Sequence, residues 1–195
     1  HTTPDATRLL TELASHNEPV IAASALERLN EVDSNLVLPL VDAAVTNKDP
    51  RVRLQGVMAC LKLPTSERIS LVGKLLTDAN PAIRTEILNG LLKLAEQPEL
   101  KESIAQAAEV ALQSDKRQRE AAMLVAVLDH KPSANRLIEL LDAENRDVNI
   151  AAAWALKKLA VPETAGAILA RAQKQTELRR TKNVDGLDEQ VAHLF

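Results

Sequence analysis

Four histidines, one cysteine and a repeated arginine are the residues through which this chain of 195 amino acids could do chemistry. Acid–base catalysis needs titratable groups that converge in one pocket. His16 and His130 instead precede Pro19 and Pro132 at the ends of helical patterns, where a protonated imidazole complements the helix dipole. His1 and His193 lie at the two ends of the chain. No His-Glu-x-x-His run or similar ligand spacing is present. The five glycines, Gly56, Gly73, Gly90, Gly166 and Gly186, are scattered and form no phosphate-cradling loop. Cys60 falls on an apolar helical face, the place of a small buried hydrophobe rather than a nucleophile. Arg53, Arg84 and Arg119 recur at one place in a repeat, with Ala22 and Asn149 completing the series. Such a ladder could hold an anion, but the favoured expectation is that each arginine pairs with an acidic turn residue of a neighbouring unit, such as Asp49, Asp78 or Asp115. The expectation is therefore no catalytic residue, no metal ligand and no cofactor.

The composition says what could position any of these groups. Apolar residues make up 46% of the chain and charged residues 26%, a balance suited to a packed core. With one Trp, one Phe and no Tyr, that core is built from Leu, Ala, Val and Ile, which disfavours sandwiches and barrels. The formal charge of −3 supplies no strongly basic domain for a nucleic-acid backbone. No apolar run reaches the length of a membrane-spanning helix.

The elements repeat. Asn17-Glu18-Pro19-Val20-Ile21, Lys48-Asp49-Pro50-Arg51-Val52-Arg53 and Ala79-Asn80-Pro81-Ala82-Ile83-Arg84 are versions of one phrase, and Ser114 to Arg119 and Asn145 to Asn149 are weaker copies without the proline. Asp or Asn caps a helix whose first turn tolerates proline, because that N–H has no intrahelical partner. From Arg53 an apolar template then follows: Gly56, Val57, Ala59, Cys60 and Leu63. It recurs from Arg84 as Ile87, Leu88, Gly90, Leu91 and Leu94, and from Asn149 as Ala152, Ala153, Ala155, Leu156 and Leu159. Second amphipathic stretches lie between: Leu36 to Val45, Ile69 to Leu76, Leu100 to Leu112, Leu137 to Leu141 and Ala165 to Ala172. Neither helix of a unit can bury its stripe alone, so the units must stack. The expected organisation is a half-unit at 4–16, repeats at 17–47, 48–78, 79–113, 114–144 and 145–182, and a half-unit at 183–195. The fourth unit departs from the rest, because counting from Arg119 puts Asp129 at an apolar position. The half-units, with no polar capping repeat, lead to the expectation of one solenoid within a longer polypeptide.

Asp49-Pro50-Arg51-Val52-Arg53, and still more the run from Ala151 through Trp154 and Pro162 to Ala165, resemble short bacterial HEAT repeats of the type also found in phycobilin-lyase subunits. The resemblance covers roughly residues 5 to 180. It implies an all-α fold, a right-handed α-solenoid of about five helical hairpins, whose second helices line the concave face. Asp42, Lys74, Arg136, Glu139 and Lys174 would then point outward from that face as candidate protein-binding residues. Leu124 and Trp154, at equivalent places in consecutive units, would form a small exposed apolar patch on the outer side.

The function expected from this reading is a noncatalytic interaction or scaffold module. The alternative is an accessory HEAT domain of a multidomain or multisubunit enzyme, a chromophore lyase or redox enzyme, with its chemistry outside this segment. A nucleic-acid groove would want stacking rings between basic residues, and the inner face offers none. The expected partner is a protein or peptide, another domain of the same chain included, with no nucleic acid, no membrane and a monomeric state. The compartment stays undecided, with the cytoplasm favoured slightly because no signal segment is visible.

Overall fold

Proline starts several of the helices and a short polar side chain caps some of them, as the phrase predicts. In the computed structural model, which describes residues 3–182, helices α1 (Pro4–Leu13), α2 (Pro19–Val32), α4 (Pro50–Lys62), α6 (Pro81–Leu94) and α7 (Pro98–Leu112) all begin at proline. The Asp49 carboxylate accepts from the Arg51 amide at 2.8 Å, the Asn80 side-chain oxygen from Ala82 at 2.9 Å, and that of Asn145 from Asp147 at 2.9 Å. Each acceptor satisfies an amide that the helix itself leaves open. The remaining helices are α3 (Val41–Val45), α5 (Ser66–Gly73), α8 (Arg119–Val127), α9 (Ala134–Leu140), α10 (Arg146–Leu159) and α11 (Ala165–Lys182). Short 3₁₀ turns join them, and among the described residues there is no strand. No described helix is long and apolar enough to cross a membrane. The expected half-unit at 183–195 lies outside the described residues.

The expected helix from Leu36 to Val45 is split. Pro39 has no N–H to donate in its middle, so the chain runs through two 3₁₀ turns, Ser34–Leu36 and Leu38–Leu40, before α3 forms.

The chain divides into two compact units, one through Leu94 and one from Ala95 onward, a boundary that falls inside the expected repeat 79–113. In the first, α1 packs on α2, α3 on α4, and the 3₁₀ turn Lys74–Thr77 on α6, while α2, α4 and α6 follow one another side by side. Ala22, Ala23, Leu26, Leu29, Val37, Ala44, Val52 and Ala59 form one buried cluster there, with Leu10, Ala14, Leu36 and Leu40 packed against it. In the second unit α7 packs on α8 and α9 on α10, and α8 packs extensively along α10. Both units are therefore stacks of α-helical hairpins, the α-solenoid class of all-α fold. From α1 to α9 each second helix, with any 3₁₀ turn that extends it, also packs on the first helix that follows it, so the packed hairpins cross the repeat boundaries drawn from the sequence.

Candidate functional site

Alanines let α8 and α10 approach. Ala121, Ala122 and Ala126 of α8 and Ala151, Ala152, Ala153 and Ala155 of α10 are all buried, and small side chains at a helix crossing bring the two backbones together. On the outward side of this pair the side chains lengthen again and leave a groove of about 340 Å³, lined by Arg119, Met123, Arg146, Asp147, Ile150, Ala151 and Trp154. Its floor is apolar. Met123, Ile150 and Trp154 are each half-buried, so they offer contact area without being sealed in the core. The Lys158 ammonium stands 5.8 Å from the centroid of the Trp154 ring, within cation–π range. Arg119 reaches the buried Glu120 carboxylate at 3.2 Å.

The structure places Trp154 in this groove and corrects its expected companion. Leu124 is fully buried, 0% exposed, and cannot belong to a surface patch; Met123 occupies the groove instead. The cause is a register error of one residue. No proline marks the helix start of the fourth unit, and Gln118 rather than Arg119 holds the equivalent place, 4% exposed with its side-chain amide donating to the Ser114 carbonyl. Counted from Gln118, the template falls on Ala121, Ala122, Leu124, Val125 and Leu128, every one buried. The chain absorbs the shift through Arg117, a non-glycine residue at φ 62°. Asp129 then lies just past the helix rather than on the apolar stripe. It takes φ 55° and closes the C-terminus with the His130 amide on the Val125 carbonyl at 2.9 Å.

The residues expected on the inner face are held by the second helices and the turns that extend them. In the first unit Asp42 on α3 and Lys74 at the start of its 3₁₀ turn are both exposed. In the second unit Glu139 on α9 and Lys174 on α11 are exposed, whereas Arg136 is half-buried. Its guanidinium donates to the Leu112 carbonyl at 3.1 Å, to the Ser114 carbonyl at 3.4 Å and to Glu139 at 2.6 Å. Arg136 thus satisfies carbonyls left open at the end of α7. Arg171 does the same one hairpin later, donating to the Leu141 carbonyl at 2.7 Å and to the Asp142 carboxylate.

The repeated polar position is structural. Arg53 donates to the Asn47 and Lys48 carbonyls at 2.8 and 2.9 Å, Arg84 to the Asp78 carbonyl at 2.7 Å, and Asn149 to the Ala143 carbonyl at 3.4 Å. In each case a side chain in the second turn of a first helix ties down the turn before it. Arg53 also pairs with Asp78, as expected of the ladder. Asp49 is held at about 2, well below the usual carboxylate range, chiefly by the hydrogen bond from the Arg51 side chain. Cys60 is 2% exposed, and burial pushes its thiol up to about 11. The His16 Nδ1 accepts from the Glu18 amide at 3.0 Å, and His130 shares a 2.9 Å hydrogen bond with Ser133.

No protein-family model matches the chain, and no curated protein matches it. Among solved structures, an engineered protein aligns over 97% of this chain and 57% of its own at 21% identity, with a TM-score of 0.51. A second engineered protein aligns over 97% and 87% at 23% identity, with a TM-score of 0.46. A designed armadillo repeat protein in complex with the peptide (KR)4 aligns over 97% and 90% at 18% identity, also with a TM-score of 0.46. At these identities the likeness is one of fold alone.

Proposed function

We propose that this chain is a noncatalytic protein-binding segment made of HEAT repeats, and that the groove between α8 and α10 around Trp154 is where a partner seats. The observation that carries the reading is the groove itself: a half-buried Trp, Met and Ile grouped on one outward face and rimmed by charged side chains. Tryptophan is the residue type most enriched among interface hot spots, and an apolar centre inside a charged rim is the anatomy of a binding patch. The residues best suited to chemistry support the same reading, because they serve the architecture. Cys60 is a core residue with a raised thiol pKa, and Arg53 and Arg84 hold turns. The reading applies equally to a free scaffold and to a segment serving a larger enzyme whose chemistry lies elsewhere.

The test is retention of partners from the source cell on three immobilised forms: the unchanged chain, Trp154→Ala, and Asp42→Lys with Lys74→Glu. A partner kept by the unchanged chain and lost only from Trp154→Ala supports the groove. A partner lost only from the double variant moves the site to the inner face of the first unit. Turnover of a substrate by the purified chain would overturn the noncatalytic reading.

A further inference from the structure

The charges around the groove select among partners. Its rim carries Arg119 and Arg146 as lining residues and Lys158 above the Trp154 ring. The lining carboxylate is Asp147; Glu120, the partner of Arg119, is 3% exposed and lies beneath the rim rather than on it. Arg119, Arg146 and Lys158 are all exposed, as is Asp147, so the rim that a ligand meets carries more cationic than anionic side chains. Both helices also direct their N-termini to this end, since Arg119 and Arg146 are the first residues of α8 and α10. The α8 terminus has no side-chain cap, and the buried Glu120 carboxylate in its first turn complements its positive end. The centre has the opposite demand, because Met123, Ile150 and Trp154 present apolar surface to any group that enters.

Resting on the protein-binding reading above, we infer that the groove takes an acidic peptide segment carrying one aliphatic or aromatic anchor. The anchor packs between Met123 and the Trp154 ring, and flanking carboxylates meet Arg119, Arg146 and Lys158. Complementary charge of this kind sets which partner is accepted and how fast it is captured, while the anchor supplies residence. A basic segment with the same anchor is rejected, because it places like charges at the rim.

Trp154 is the only tryptophan in the chain and there is no tyrosine, so its fluorescence reports the groove directly. The probes are three sets of nine-residue peptides, each with a central Leu, Met or Phe, flanked by Asp and Glu, by Ser and Gly, or by Lys and Arg. The acidic set is expected to shift Trp154 emission with an affinity about tenfold above the neutral set, and the basic set to bind more weakly still. Arg146→Glu combined with Lys158→Gln, checked for unchanged helicity, is expected to remove the acidic preference. Equal binding of acidic and neutral sets, or tighter binding of the basic set, overturns the acidic inference while leaving a peptide-binding groove in place. No response to any set up to about 1 mM overturns the groove as a peptide site, and the Trp154→Ala retention experiment then decides separately whether a folded partner uses it. Emission that changes with the concentration of the chain alone also overturns the inference, since the occupant is then a second copy.

Discussion

Arg53 and Asp78, 25 residues apart, form a two-pronged ion pair: Nε donates to Oδ2 and Nη2 to Oδ1, both at 2.8 Å. The remaining guanidinium nitrogen holds the Asn47 and Lys48 carbonyls, and Asp78 Oδ1 also accepts from the Asn80 amide at 2.7 Å. One residue pair therefore joins the turn before α4 to the turn before α6.

The side chains are only 13% and 6% exposed, so removal of either partner leaves the other charge poorly solvated. Arg53→Ala and Asp78→Ala are each expected to cost about 3 kcal/mol. The double variant is expected to cost clearly less than both losses together. Urea denaturation of the four proteins of the cycle measures this, and strict additivity would show that the pair is not coupled.

Two glycines face different neighbours. A methyl group at Gly56 would stand 2.8 Å from Val45 Cγ1 and 3.1 Å from the Val45 backbone nitrogen, which cannot yield; at Gly90 it would meet the tip of Leu61, whose Cδ1 lies 2.5 Å away but can rotate. Gly56→Ala is expected to lose about 1–3 kcal/mol by overpacking. Gly90→Ala is expected to be near neutral, because the gain in helix propensity of about 1 kcal/mol offsets the shift of Leu61. Thermal melting of the two variants ranks them, and the reverse order would refute the packing argument.

Charges on second helices differ in how far reversal is tolerated. Lys74→Glu is expected to change stability by no more than about 0.5 kcal/mol, as for an exposed site. Arg136→Glu withdraws the donors from the Leu112 and Ser114 carbonyls and is expected to cost about 1–3 kcal/mol. Equal melting temperatures for the two variants would contradict this difference.

The Cys60 thiol has its pKa raised by burial from 9.0 to about 11. The folded state therefore favours the neutral thiol, and the unfolded state ionises first as pH rises. The stability this supplies is fully present below about pH 9 and is lost as pH climbs toward 11. Cys60→Ala is expected to remove that part of the alkaline loss. At pH 8 a disulfide reagent is expected to modify the folded chain far more slowly than the urea-unfolded chain, and equal rates would place the thiol outside the core.

Local chemistry by itself determined where helices start and that they repeat. Pro19, Pro50 and Pro81, with Asp49 and Asn80 before the latter two, carry their message within one turn of backbone, and the Arg53 template lists a buried face that any helix of that sequence would present. Where such marks are missing, the sequence lost register. No proline precedes α8, so only the packing of Leu124 and Leu128 and the left-handed turn at Arg117 reveal that Gln118, not Arg119, is the equivalent residue. Pro39 and its lack of a donor were visible, yet the break in the second helix depends on 3₁₀ turns forming around it. Trp154 stood out as a residue type, whereas its groove required Met123, Ile150 and Arg119 to be brought beside it by two helices packed through alanine. That is a fact of tertiary structure, because a side chain's exposure is set by the neighbouring helix and not by its own.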